Sequence, residues 1–155
     1  MSLKRNQKGI KRWTLDLYFV LLWIVLIRGS LILKKMKKLI CHCGKIEAEI
    51  KISDNLEKIL RCNCSICKRK GAVMSIVKNE DFKIIKGVDK LKIYQFHSKV
   101  AKHFFCSNCG IYTHHNPRSN PAMTGFNVGC IDDLDTLKLD NIIINDGKNH
   151  PLDNK

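Results

Sequence analysis

Seven cysteines in three tight groups, Cys41-x-Cys43, Cys62-x-Cys64-x-x-Cys67 and Cys106-x-x-Cys109, constrain this chain more than any other feature. Cysteines one or two residues apart rarely pair with each other, yet they let two sulfurs converge on one ion. A tetrahedral zinc takes sulfurs about 2.3 Å away, and a short loop with a glycine just after the second cysteine supplies that geometry. Both Cys43-Gly44 and Cys109-Gly110 have the glycine. At 155 residues the chain suits one domain with a modest core, a size at which metal often supplements hydrophobic burial. Metal in a reducing, cytoplasmic setting is therefore expected over a disulfide framework.

Seven ligands do not divide into two closed four-sulfur sites. Four plus three is the natural split, giving one sealed structural centre and one with an open position for water or substrate. Spacing alone does not assign the pairs to an ion. Cys130 stands outside any doublet and reads as a buried free thiol rather than an eighth ligand.

The formal charge of +14 suggests a nucleic-acid partner only until it is divided along the chain. Residues 1–40 hold ten Lys/Arg and one acid, Asp16, leaving eighteen bases and thirteen acids for residues 41–155. Two Zn²⁺ bound through seven thiolates remove three more charges, so the metallated module carries about +2. No nucleic-acid partner is expected.

The basic excess flanks an apolar run at residues 17–27, followed by Arg28-Gly29-Ser30, Leu31-Ile32-Leu33 and lysines 34, 35, 37 and 38. Eleven residues fall short of the ~20 that a spanning helix needs. Residues 13–33 reach that length only by burying Asp16 and Arg28, at about 2.5–3.5 kcal/mol each near the bilayer centre. No small-x-small cleavage site follows. Residues 1–35 are read as a basic, hydrophobic extension, helical in its apolar part. It is either a membrane anchor that leaves the zinc domain in the cytoplasm or a stretch upstream of a start at Met36. Residues 36–150 form the zinc domain and 151–155 a tail.

Within the module, Ile46, Ala48, Ile50 and Ile52 alternate with Lys45, Glu47, Glu49 and Lys51, the period of a half-buried strand. Further β-rich runs at 58–62, 72–77, 82–86, 91–96, 101–105, 111–115, 123–130 and 142–144 are separated by turn signals. Residues 65–70 are expected to make one helical turn stopped by Gly71. Residues 116–121, with two prolines, make a loop. No period-3.6 stripe occurs, so the module is predicted to be mainly β, with Phe96, Phe104, Phe105 and Phe126 in its core.

Four segments stand in order: Cys41-His-Cys43-Gly, Cys62-Asn-Cys64-Ser-Ile-Cys67-Lys-Arg-Lys-Gly71, His103-Phe-Phe-Cys106-Ser-Asn-Cys109-Gly, and Asn127-Val-Gly-Cys130-Ile-Asp132. Over about residues 36–150 this pattern resembles the glutathione-dependent formaldehyde-activating enzyme family, which also includes centromere protein V. The resemblance implies a tent-like, zinc-stabilised assembly of small antiparallel sheets. It also implies the partition that spacing leaves open, a structural zinc on Cys41, Cys43, Cys106 and Cys109 and an exchangeable, catalytic zinc on Cys62, Cys64 and Cys67. The activity implied is that of a carbon–sulfur lyase resembling S-(hydroxymethyl)glutathione synthase, acting on glutathione or a similar thiol and its aldehyde adduct. An open three-thiolate zinc fits this chemistry, because its soft surroundings accept a further thiolate.

Other residues are weaker candidates. Lys68-Arg69-Lys70 is expected to be a solvated basic turn, although it stands where a thiol substrate's carboxylates would approach. His103, His114 and His115 are expected to support the site or to face solvent rather than to bind metal or act as a general base. His42 is expected to point away from the metal. Arg118 is a candidate carboxylate ligand. The alternative to an enzyme is a non-catalytic zinc module for nucleic acid or a protein partner, which the charge division disfavours.

Overall fold

The computed structural model describes residues 34–151 apart from positions 55 and 57. The expected apolar helix within residues 1–33 lies outside the described residues, as do positions 152–155 of the tail. Among the described residues no helix is long and apolar enough to cross a membrane.

In chain order the strands are β1 (Lys34–Ile40), β2 (Glu47–Ser53), β3 (Leu60–Cys62), β4 (Met74–Lys78), β5 (Phe82–Lys86), β6 (Leu91–Tyr94), β7 (Lys102–Cys106), β8 (Tyr112–Asn116), β9 (Met123–Asn127) and β10 (Ile143–Asn145). They form a three-stranded sheet, β1-β2-β5, and a sheet of seven short strands, β10-β3-β4-β9-β8-β7-β6. The mainly-β expectation holds. One pair departs from the antiparallel pattern: β10 runs parallel to β3. The chain leaves β9, crosses through residues 128–142 and returns beside β3 in the same direction, the long crossover that parallel pairing requires.

The alternation seen in the sequence places Ala48, Ile50 and Ile52 of β2 against Val77 of β4 and Phe126 of β9, with Leu39 beside them. β1 was not foreseen. Its lysines, read as the flank of an apolar segment, make a charged sheet edge in which only Leu39 is fully buried. Lys34, Lys35 and Lys37 reach Asp81, Asp54 and Asp133 at 2.8, 2.5 and 3.1 Å. Such exposed pairs stabilise little, but a lysine-rich edge discourages pairing with another chain. Of the four phenylalanines assigned to the core only Phe126 is fully buried; Phe96, Phe104 and Phe105 are half-buried. Phe104 and Phe105 lie on β7, next to the edge strand of the large sheet and away from the β4–β9 pair that carries the core.

Cys130 is buried, and its thiol donates to the Tyr112 carbonyl at 3.7 Å. Burial pushes its pKa up to about 12, so it stays a thiol. Residues Cys67–Lys70 make the expected helical turn, closed by Gly71 at φ 64°.

Candidate metal centres and the adjoining cleft

The first centre joins the tips of two hairpins from different sheets. Cys41 and Cys43 lie in the β1–β2 turn, and Cys106 and Cys109 in the β7–β8 turn. In each turn the glycine after the second cysteine has positive φ, 68° at Gly44 and 73° at Gly110. Each glycine N–H donates to the carbonyl of its turn's first cysteine, at 2.8 Å in both cases. This shared geometry folds both sulfurs of a turn inward, as the sequence spacing predicted. The Ile46 N–H donates to the Cys41 sulfur at 3.2 Å, and Lys45 bonds Asn108 across the two tips at 2.8 Å.

All eight described cysteines are free thiols. The Cys41–Cys43 and Cys43–Cys106 sulfurs are 3.6 and 3.7 Å apart. A tetrahedral zinc with 2.3 Å bonds separates its sulfurs by about 3.8 Å. The four-sulfur set therefore fits zinc in both chemistry and span. Backbone hydrogen bonding led by Lys45 lowers Cys43 to about 6, while burial raises Cys106 to about 11. The site is thus partly prepared to lose protons to a cation.

The second cluster brings Cys62 from the end of β3 together with Cys64 and Cys67 from the turn that follows. Their sulfurs lie within 4.8 Å of one another and are half-buried. A hydrogen bond from the Cys67 thiol draws Cys62 down to about 5, and the same bond pushes Cys67 up. For all three sulfurs to ionise together, a cation must offset their charge. The sulfurs gather as a group of four and a group of three, and Cys130 joins neither.

This cluster sits in the wall of a cleft of about 620 Å³ on the face of the large sheet. Its floor is a cross-strand row that was not legible in the sequence. His103 on β7 faces His115 on β8, His115 faces Gly125 on β9, and Gly125 faces Ile76 on β4. The His115 ring lies so close over Gly125 that a Cβ there would meet its Cε1 at 2.1 Å. Among the described lining residues are Lys58, Arg118 and Lys148, and no aspartate or glutamate.

Behind the row, Lys70 departs from the solvated turn that was expected. Lys68 and Arg69 are exposed, but Lys70 turns inward. Its ammonium lies 3.4 Å from the Tyr112 ring centroid and 3.1 Å from Nδ1 of His103. Burial lowers its pKa to about 8, against the opposing pull of Cys67, Cys64 and Cys62.

His103 and His114 are buried, and His115 is half-buried in the floor of the cleft. His42, by contrast, is exposed. Burial lowers His103 and His114 to about 4 and His115 to about 3, so all are neutral at physiological pH. His114 faces away from the cleft, stacked 4.2 Å from Phe104 and 3.0 Å from the Thr113 hydroxyl. Unfolding lets it bind a proton near pH 6.5, so its contribution to stability is complete above that pH and is lost as the pH falls toward 4. Replacing His114 by glutamine is expected to remove roughly 1–2 kcal/mol of the acid-induced loss between pH 7 and pH 5. Thermal melts at the two pH values, compared with wild type, read this as a smaller shift in Tm.

A family model described as glutathione-dependent formaldehyde-activating enzyme matches residues 36–144, and the chain belongs to this family. A solved structure of a Rhodobacter sphaeroides protein, a structural-genomics target, is 38% identical in sequence. The likeness covers 70% of this chain and 99% of that one, with a TM-score of 0.67.

Proposed function

We propose that this chain is a two-zinc enzyme that makes or breaks the carbon–sulfur bond of a thiol–aldehyde adduct, its thiol being small, anionic and of the glutathione type. The observation that carries this reading is a three-sulfur cluster set in a cleft with cations but no carboxylate in its described lining. Membership of the formaldehyde-activating family supports it. Cys62, Cys64 and Cys67 would hold the exchangeable zinc, and Cys41, Cys43, Cys106 and Cys109 the structural one. The working domain is residues 36–150, in the cytoplasm, with residues 1–35 an extension that either anchors it or precedes the true start, and 151–155 a tail.

Zinc held by Cys62, Cys64 and Cys67 would supply the Lewis acidity that favours the thiolate form of a substrate thiol. The remaining tasks fall to the chain's own groups. Lys58, Arg118 and Lys148 draw the substrate's carboxylates into the cleft. The Lys70 ammonium has only protons to offer, so Nδ1 of His103 accepts and its Nε2 carries the ring hydrogen. That N–H donates to the aldehyde oxygen as charge gathers there. In the forward direction the thiol S–H is broken, a sulfur–carbon bond forms, and the former carbonyl oxygen takes up a proton. The reverse returns free thiol and aldehyde. His115, held neutral by burial, keeps a second positive charge away from His103.

Titration of the full chain, loaded with Co²⁺ in place of zinc, tests the reading. Glutathione is expected to change the thiolate-to-metal absorption of one of the two ions and leave the other as it was. If no small thiol perturbs either ion, the mechanism fails.

A further inference from the structure

Asn63, the residue between two of the three clustered cysteines, is the meeting point of three hydrogen bonds from one distant segment. Its N–H donates to the Asn145 carbonyl at 3.1 Å. Its side-chain amide donates to Asp146 Oδ1 at 2.9 Å, and its Oδ1 accepts from the Lys148 N–H at 2.9 Å. The segment also braces itself. Asn149 donates through its side chain to Asp146 Oδ2 at 2.8 Å, and the Gly147 N–H reaches the Asn145 carbonyl at 3.0 Å.

This segment passes directly against the sulfurs. A Cβ on Gly147 would lie 2.4 Å from the Cys62 sulfur and 3.0 Å from the Cys64 Cβ. Only a residue without a side chain lets the backbone come so near. Just upstream, β10 pairs with β3 so that Asn145 stands opposite Cys62, and its amide points at that sulfur from 3.9 Å. Residues 145–149 lie beyond the stretch that the family model matches, which ends at residue 144.

We propose that residues 143–149 form a strap, latched by Asn63, which fixes Cys62 and Cys64 in ligating position and covers one side of the cluster, so that the thiol approaches from the cleft. Asn63 and Gly147 are then positioning residues for the exchangeable metal. The inference rests on the reading of this cluster as a metal site. The Cys-x-Cys spacing thus has a second use, because the intervening residue is the anchor of the strap.

The test uses the full chain loaded with zinc and a chromogenic chelator that reports its release. Asn63→Ala loses two of the three bonds and is expected to release the labile zinc about tenfold faster than wild type. Gly147→Ala, which sets a methyl group against the Cys62 sulfur, is expected to lower occupancy of that site alone. In both variants the tightly held zinc and the circular dichroism spectrum stay as in wild type. Hydrogen exchange at the Gly147 and Lys148 amides is expected to speed up in Asn63→Ala, showing the strap released. A released strap with wild-type zinc loss overturns the inference alone. A wild-type chain that takes up one zinc rather than two overturns the metal reading and the inference with it.

Discussion

Replacing Cys106 by serine is expected to unfold this chain rather than merely to weaken it. The four-sulfur cluster is the point where the β1–β2 hairpin of one sheet meets the β7–β8 hairpin of the other, and Cys43 and Cys106 are 63 residues apart. Without that joint, the chain must hold a long loop closed on packing alone. The apolar cluster at the joint is small, with Cys41, Ile46 and Cys106 as its buried members. Structural zinc contributes on the order of 10–16 kcal/mol of folding energy in small domains, comparable to the whole stability of a protein this size. Calorimetry is expected to show no cooperative transition for the variant, and a chelator strong enough to strip both sites should reproduce that result in wild type. A variant that melted cooperatively within a few degrees of wild type would show that the two sheets hold without the metal.

Replacing Cys67 by alanine is expected to do the opposite: keep the fold and abolish the chemistry. Its cluster belongs to neither buried hydrophobic group, and all three sulfurs are half-buried. The helical turn that carries Cys67 has no buried residue. Little packing is lost, so Tm should fall by no more than a few degrees. Two sulfurs hold a zinc far less tightly than three, and activity on a thiol–aldehyde adduct should drop by on the order of a hundredfold or more. Metal analysis checks the pair of outcomes together, with one zinc per chain remaining. If the variant kept full activity, the catalytic role proposed for the three-sulfur cluster would be overturned.

The local features of the site were legible in the sequence. Cysteine spacing, the glycines at 44 and 110 and the turn ending at Gly71 all express chemistry that acts within a few residues, and each stands as expected. The period-2 alternation of β2 likewise named its buried face. What escaped depends on partners distant along the chain. The His103–His115–Gly125–Ile76 row exists only through strand register, which no single strand reveals. Lys70 differs from Lys68 and Arg69 only in the side of the turn on which it emerges. Gly147 and Asn63 carried no motif, because each makes its contacts, Gly147 with Cys62 and Asn63 with Asn145, Asp146 and Lys148, across more than eighty residues. The lysines of β1 misled for a simpler reason: a run of positive charge reads as a flank until a neighbouring strand makes it an edge.

Strands β8 and β9 serve two masters at once. Phe126 points into the core while its neighbour Gly125 supports the His115 ring in the cleft, and on β8 His114 and His115 divide in the same way. A single thickness of backbone therefore separates the packed interior from the cleft. Any repacking behind Phe126 moves the surface on which the His115 imidazole rests, so interior and cleft are not independent at these positions.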